Sequence, residues 1–384
     1  MQIAGSKQSI KTQSFIQGKN LLFVGPKPPP IGGSPLTVQA MLAELALYPS
    51  VHVTVINTSP ALDVRKKMTG FNFEKVKRTA LIIPQYIQKI GACDAVLVFA
   101  NDLFAITLAP VLLMIARLFR KPFYLKPVGA GLDLFINAQI KPLRAYLLFV
   151  LRATDGILTQ TRLLKEDLGK LGCANAYYLP GCRPLPTLKS APKQSTSEFR
   201  MIFLGHITRL KGPVYLLEAL KTVSEMSTRP VRCDFFGPIH DDIRVEFQDG
   251  LKATPCAHYC GVAEAGTGPD LIAQYDALVL PTYYDTEGHP GVFIEAMHAG
   301  VPVISTRVRT FPELITNGIN GLLVPTQNSE LLARAILMLA EDPDLRKKMG
   351  LANSLKGQEF RAETVVSNLL KIVFPNWSFV KEQP

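Results

Sequence analysis

Short apolar runs alternate with longer stretches of helical spacing from one end of the chain to the other. Asn20–Val24 (NLLFV), Val51–Ile56, Ala95–Phe99, Pro122–Leu125, Thr154–Thr159 and Tyr177–Leu179 read as strands, with a helix over Leu36–Leu47. Strands alternating with helical stretches in this way are the signature of α/β units with a parallel sheet. The pattern stops at CRPLPTLKSAPKQSTSE, residues 182–198, which is rich in Pro, Ser and Lys and has no hydrophobic period. It restarts with MIFLG at 201–205, a helix over Val214–Met226 and strands at Val231–Phe236, Ala277–Pro281, Val301–Ser305 and Gly321–Val324. A chain of 384 residues exceeds one typical domain. The expected organisation is therefore an α/β domain over 1–182, a linker over 183–198 and a second α/β domain over 199–357. Residues 358–384 are expected to form a C-terminal helix and tail packing back on the first domain.

A hydrophobic fraction of 47% with 19% charged residues excludes a disordered chain. The six cysteines are scattered, which reads as reduced thiols and not as a disulfide framework. The N-terminal stretch MQIAGSKQSIKTQSFIQGKN lacks the apolar centre of a signal peptide, so a cytoplasmic location is expected. Leu103–Phe119 is nearly all apolar, but Pro110 and the flanking Asn101, Asp102, Arg117, Arg120 and Lys121 favour a buried or interfacial helix over a membrane span.

The net charge of +11 is unevenly placed: residues 1–190 carry +14 and residues 191–384 carry −3. A basic domain of this kind suits anionic lipid, nucleic acid or a phosphorylated acceptor. No nucleic-acid recognition motif accompanies the charge, so nucleic acid is set aside as a partner. The stretch RKKMTGFNFEKVKR (65–78) interleaves charge with Met68, Phe71 and Phe73, and the segments 103–121 and 140–152 are apolar and basic. A solvated face is the plainer reading. Contact with an anionic membrane surface is the sharper one, at ~1 kcal/mol per basic residue near the surface. It implies peripheral attachment to the inner face of the plasma membrane.

The strongest chemical signal is Glu287-Gly288-His289-Pro290-Gly291-Val292-Phe293-Ile294-Glu295-Ala296, between a strand ending at Pro281 and a helix running to Ala299. The N–H groups of Gly288, His289, Gly291 and Val292 can converge on an anion, aided by the partial positive charge of the helix N-terminus. Glu287 lies at the mouth of the loop and Glu295 in the first turns of the helix. The string TEGHPGVFIEAMHAGVPVIST (286–306), with FPELITNGINGLLV (311–324), resembles the retaining glycosyltransferases of family 4, the glycosyl transferases group 1. The resemblance covers the second domain and, more weakly, the first. It implies the GT-B fold, two Rossmann-like domains with parallel sheets facing across a cleft, the first on the acceptor side and the second binding the nucleotide sugar. It also implies that Glu287 stands by the transferred sugar and Glu295 holds the ribose. The nucleoside-diphosphate sugar is then a co-substrate, no cofactor is needed, and the acceptor is a glycan or lipid-linked glycan of bacterial surface polysaccharide.

Two further loops fit that resemblance. Gly205-His206-Ile207-Thr208-Arg209-Leu210-Lys211-Gly212 opens the second domain, where the family places a Gly-Arg and a Lys-Gly facing the diphosphate. Lys211 matches, whereas His206 follows the glycine and the arginine is displaced to Arg209. These two cations are the expected stabilisers of the leaving phosphate. Pro28-Pro29-Pro30-Ile31-Gly32-Gly33-Ser34, after the first strand, resembles the loop that abuts the donor, with Gly32 and Gly33 permitting close approach. Many members carry a histidine before the glycines of a middle loop. Here Lys126-Pro127-Val128-Gly129-Ala130-Gly131-Leu132-Asp133 has none, and Lys126, Gly129 and Asp133 are the candidate contacts.

Cys256, His258 and Cys260 alternate, but in a strand the two thiols lie roughly 13 Å apart, too far for one zinc. No metal site is expected. The rival readings are another GT-B enzyme, a sugar-nucleotide epimerase or a phosphorylase, and a non-catalytic membrane-surface adaptor of the same fold.

Overall fold

The computed structural model describes residues 18–29, 32–59, 73–186, 197–264 and 266–381, with backbone alone over 73–80. Most of the basic stretch 65–78, residues Pro30 and Ile31 of the proline-glycine loop, and linker residues 187–196 lie outside the described residues or side chains.

The first domain runs β1 (Lys19–Gly25), α1 (Gly33–Leu45), β2 (Val51–Asn57), α2 (Phe73–Ile90), β3 (Ala95–Ala100), α3 (Asp102–Leu118), β4 (Phe123–Pro127), α4 (Leu132–Asn137), α5 (Lys141–Arg152), β5 (Gly156–Thr159), α6 (Arg162–Lys170) and β6 (Ala176–Tyr178). Its six strands pair in the order β2-β1-β3-β4-β5-β6, all parallel. All six residues of β3, AVLVFA, are buried, as a central strand covered on both faces requires. β4 continues beyond the expected Leu125 to Pro127 with every residue buried, which takes Lys126 inside the domain. Along α3, Ala105, Leu108, Leu112 and Ala116 face the core, while Leu103, Met114 and Leu118 are exposed. Among the described residues no helix is long and apolar enough to cross a membrane.

The second domain runs β7 (Phe199–Leu204), α7 (Pro213–Met226), β8 (Val231–Phe236), α8 (Arg244–Lys252), β9 (Ala257–Tyr259), α9 (Gly268–Ile272), β10 (Ala277–Leu280), α10 (Gly291–Ala299), β11 (Val303–Thr306), β12 (Gly321–Val324), α11 (Ser329–Glu341) and α12 (Pro343–Gly357). Its sheet is also six-stranded and parallel, in the order β12-β11-β10-β7-β8-β9. One apolar core fills both of its faces.

The last helix, α13 (Ala362–Val373), leaves the second domain and returns to the first. Val365, Val366, Leu369, Leu370 and Val373 join Leu21, Phe23, Val38 and Met41 in one buried cluster. The chain thus crosses between the domains twice, and the crossings touch in a parallel bridge between Arg183 and Arg361.

Each sheet reverses its strand order once. After β2 the chain returns to place β3 on the other side of β1, and after β9 it returns to place β10 beside β7. Loops leaving the carboxyl ends of the two strands at such a reversal diverge and open a crevice, the usual ligand position of doubly wound sheets.

Candidate functional site

In the second domain the crevice is walled by the β7–α7 loop and the β10–α10 loop. The first of these makes one turn of 3₁₀ helix over Arg209–Lys211 and ends at Gly212 in a left-handed conformation, φ +71°. A Cβ at 212 would stand 2.1 Å from the Pro281 carbonyl oxygen, so only glycine fits this approach. The Leu210 carbonyl accepts from the Thr282 hydroxyl at 3.0 Å and from the Tyr283 N–H at 2.9 Å, which ties the two loops together. This brings the Lys211 ammonium onto Oε1 of Glu287, while Oε2 stands 3.1 Å from the Thr282 hydroxyl as an alternative acceptor for its one hydrogen. Thr310 fixes the turn from behind, its one hydroxyl hydrogen shared between the carbonyls of Glu287 (2.9 Å) and Gly288 (3.2 Å).

Glu295, in the second turn of α10, holds a different cation. The guanidinium of Arg183, 4% exposed, donates from Nε to Glu295 Oε1 at 3.1 Å. Its remaining nitrogens donate to the Thr37 hydroxyl (2.6 Å), the Cys182 carbonyl (2.9 Å) and the Gly33 carbonyl (3.0 Å). Burial pushes the Glu295 carboxyl above its ordinary range, and Arg183 opposes that rise. A side chain at Gly291 would collide with Arg183 at 2.0 Å, so the glycine beginning α10 makes room for the arginine. Arg183 therefore joins the start of α1, the linker and α10 in one buried node.

Of the expected donor contacts, Lys211 and Glu287 come together directly. Gly205 follows β7 at the same edge, and Gly288, Gly291 and Val292 lie on the α10 side of the crevice. Gly32 caps α1 in extended backbone and Gly33 carries the carbonyl on Arg183. Arg209 turns outward: its guanidinium lies 2.6 Å from Glu246 and donates to the Asp242 carbonyl at 3.1 Å. The His289 ring points inward, Nε2 3.4 Å from Glu313 and burial pulling its basicity down, while its carbonyl accepts from Gln160 at 3.1 Å.

The first domain meets this loop closely. The Ala130 N–H donates to the Thr286 carbonyl at 3.2 Å, and Gly129 takes φ +85° beside it. A Cβ at Gly131 would stand 2.7 Å from the Thr286 side chain. Asp133, buried, is held by Arg309 of the second domain, Nη1 to Oδ1 at 3.1 Å, with Asp167 on the same guanidinium. Lys126 donates inward to the Leu179 carbonyl, and full burial lowers its pKa to about 7. Sequence reasoning missed Arg183, Gln160, Thr282 and Arg309. Gln160 directly follows β5, a position that could have marked it; Arg183 sits in a segment that reads only as linker. Among the described residues no group of three or more His, Cys, Asp or Glu is placed to hold a metal ion.

Two parallel-sheet Rossmann-like domains facing across a crevice define the GT-B class. Residues 186–354, fewer than half of the chain, match the family described as Glycosyl transferases group 1, and the chain shares the GT-B fold with the solved structures it resembles. It is similar to Anabaena Alr3699/HepE, solved in complex with UDP, at a TM-score of 0.69 and 15% identity over 92% of this chain and 98% of that one. Sucrose-phosphate synthase from Thermosynechococcus elongatus gives a TM-score of 0.70 at 17% identity over the same shares, 92% and 98%. Among curated proteins, a D-inositol 3-phosphate glycosyltransferase of Pseudarthrobacter chlorophenolicus is 29% identical over 166 residues, 42% of this chain and 39% of that protein. An uncharacterized 41.2 kDa protein in the cps region of Klebsiella pneumoniae is 29% identical over 152 residues, 39% of this chain and 40% of that protein. The chain thus spans about two fifths of the length of the curated relatives it matches.

Proposed function

We propose that this protein is a retaining glycosyltransferase that moves a sugar from a nucleoside-diphosphate donor to a glycan or lipid-linked glycan. The observation that carries the reading is the Lys211–Glu287 ion pair at the crevice where β7 and β10 diverge. Departure of the nucleoside diphosphate builds negative charge on the leaving phosphate. The Lys211 ammonium and the amides opening α10 are fixed where that charge grows, so little reorganisation is needed in the transition state. Glu287 lies on the sugar side and supports the positive charge developing at the anomeric carbon. Arg183 holds Glu295 by Oε1, leaving Oε2 to accept a ribose hydroxyl. The reading calls for no cofactor beyond the nucleotide sugar.

A thermal-shift panel of nucleotide sugars tests the donor. UDP, present in the similar Anabaena structure, makes uridine sugars the first to try. A true donor at a hundred times its Kd stabilises the protein by about 2.7 kcal/mol. Glu287→Gln and Lys211→Ala should each lower turnover by about 10²–10³ with folding intact, the usual loss when one electrostatic contact is removed. Conversion of donor without acceptor would favour an epimerase, absence of turnover with every donor would favour the adaptor, and unchanged turnover in both variants would remove Glu287 and Lys211 from the chemistry.

On the acceptor side, the first domain pairs its positive charge with exposed apolar residues. Leu118, Phe119, Ile140, Tyr146 and Phe149 are exposed on α3, α5 and their flanks, beside Arg120, Lys121 and Lys141. This surface suits peripheral binding to an anionic membrane on the cytoplasmic side, near a lipid-linked acceptor. The Klebsiella relative in the cps region supports a role in surface polysaccharide assembly. Flotation with anionic and neutral vesicles tests the membrane: equal recovery with both would remove this part of the proposal.

A further inference from the structure

His206 and His240 face each other at the carboxyl edge of the second sheet. His206 follows Gly205 after β7, and His240 lies on the loop after β8. Backbone bonds clamp the two loops: the Ile207 N–H donates to the Pro238 carbonyl and the His240 N–H to the Ile207 carbonyl, each at 3.0 Å. His206 Nδ1 and His240 Nε2 then stand 2.9 Å apart, a distance that requires one hydrogen between them. Both residues are exposed, and among the described residues neither outer nitrogen, His206 Nε2 or His240 Nδ1, meets a hydrogen-bond partner.

The charge around the pair is specific. Lys211 lies on the same turn as His206 and is already paired with Glu287. Arg209, the other cation of the turn, is spent on Glu246 and Asp242. Asp241, next to His240, is paired with Arg244 at 3.1 Å. A doubly charged diphosphate seated here meets one partly neutralised ammonium and two imidazoles. We infer that the His206–His240 pair is a proton-gated seat for the donor diphosphate: the pair takes up one proton from solvent as the dianion binds and shares it across the N–H···N contact. The inference rests on the reading of this crevice as the nucleotide-sugar site, and adds a regulation of donor binding by pH.

Desolvation where the two loops meet, with His240 and Lys211 beside it, holds the partly covered His206 ring below the ordinary imidazole range, which disfavours charge on that ring in the free protein. A bound dianion raises the basicity of the pair. The sign follows from linkage: the complex binds more protons than the free protein between the two pKa values. Affinity is therefore greatest at low pH, falls as pH rises through the bound-state pKa, and levels off above it.

Isothermal titration with UDP-glucose tests this, because its diphosphate diester does not titrate near neutrality. Binding should be about tenfold tighter near pH 6 than near pH 8, with net proton uptake seen as a buffer-dependent enthalpy. His206→Arg should bind with no pH dependence and no uptake, and His206→Gln should bind weakly at both pH values, also without uptake. Unchanged thermal midpoints in both variants establish that they fold. A pair that merely clips two loops together would move neither proton uptake nor the pH profile. Flat wild-type affinity between these pH values, or a slope that survives in His206→Gln, overturns the inference and leaves the donor site standing. If UDP-glucose does not bind, the tightest nucleotide sugar of the panel takes its place; failure of the whole panel overturns the donor reading and this inference together.

Discussion

Two buried cations set the energetics of the crevice residue by residue. Arg183 and Glu295 are each less than a tenth exposed and answer each other's charge. Removing one partner leaves the other buried and uncompensated, which costs about 3–5 kcal/mol. Arg183→Met should lower the denaturation free energy by that amount, and Arg183→Met with Glu295→Gln should recover much of it in equilibrium unfolding. Lys126 behaves differently because, among the described residues, no carboxylate meets it. Its native pKa of about 7 lies below its unfolded value, so the unfolded chain binds more protons between the two. Stability therefore gains from this group as pH rises above about 7, by at most about 1.4 kcal/mol per pH unit. Lys126→Met should remove that gain, a difference readable as thermal midpoints across pH 7–9.

At the scale of elements, the site is a set of loops whose shapes depend on glycines facing another domain. Gly131 abuts Thr286, so Gly131→Ala drives a methyl group into the β10–α10 loop. Donor KM should rise several-fold, and Gly131→Ala combined with Thr286→Gly should restore it; separate effects that simply add would show that the two loops are uncoupled. The central strands were legible because they are runs of Val, Ile, Leu and Phe with no polar face, as in β3, whereas β2 shows the alternation of a half-exposed edge, with His52 and Thr54 outward. The end of β4 was hidden because Lys126 breaks the apolar run, although its charge is suppressed by the burial that the strand imposes. Glu287 and Lys211 were legible because both stand in loops directly after strands. Arg183 was not, since its meaning depends on Glu295, 112 residues away, and no local pattern encodes that distance. The outward turn of Arg209 was hidden for the same reason: Glu246 reaches it from α8.

For the molecule as a whole, α13 is structural to a domain that the chain left at the linker. It buries five aliphatic side chains against the β1–α1 face. Each is worth roughly 1.5–3 kcal/mol, so their sum rivals the entire stability of a typical domain. A chain ending at Arg361 should fail to give a cooperative unfolding transition for the first domain, while the second domain keeps its own; two-probe denaturation would separate them. The double crossing between domains also governs biosynthesis. On the ribosome, the second domain is complete before the segment that seals the first has been made. The half translated earlier of the two is thus the half that finishes folding last, and until then its β1 face stands open to whatever apolar surface it meets first.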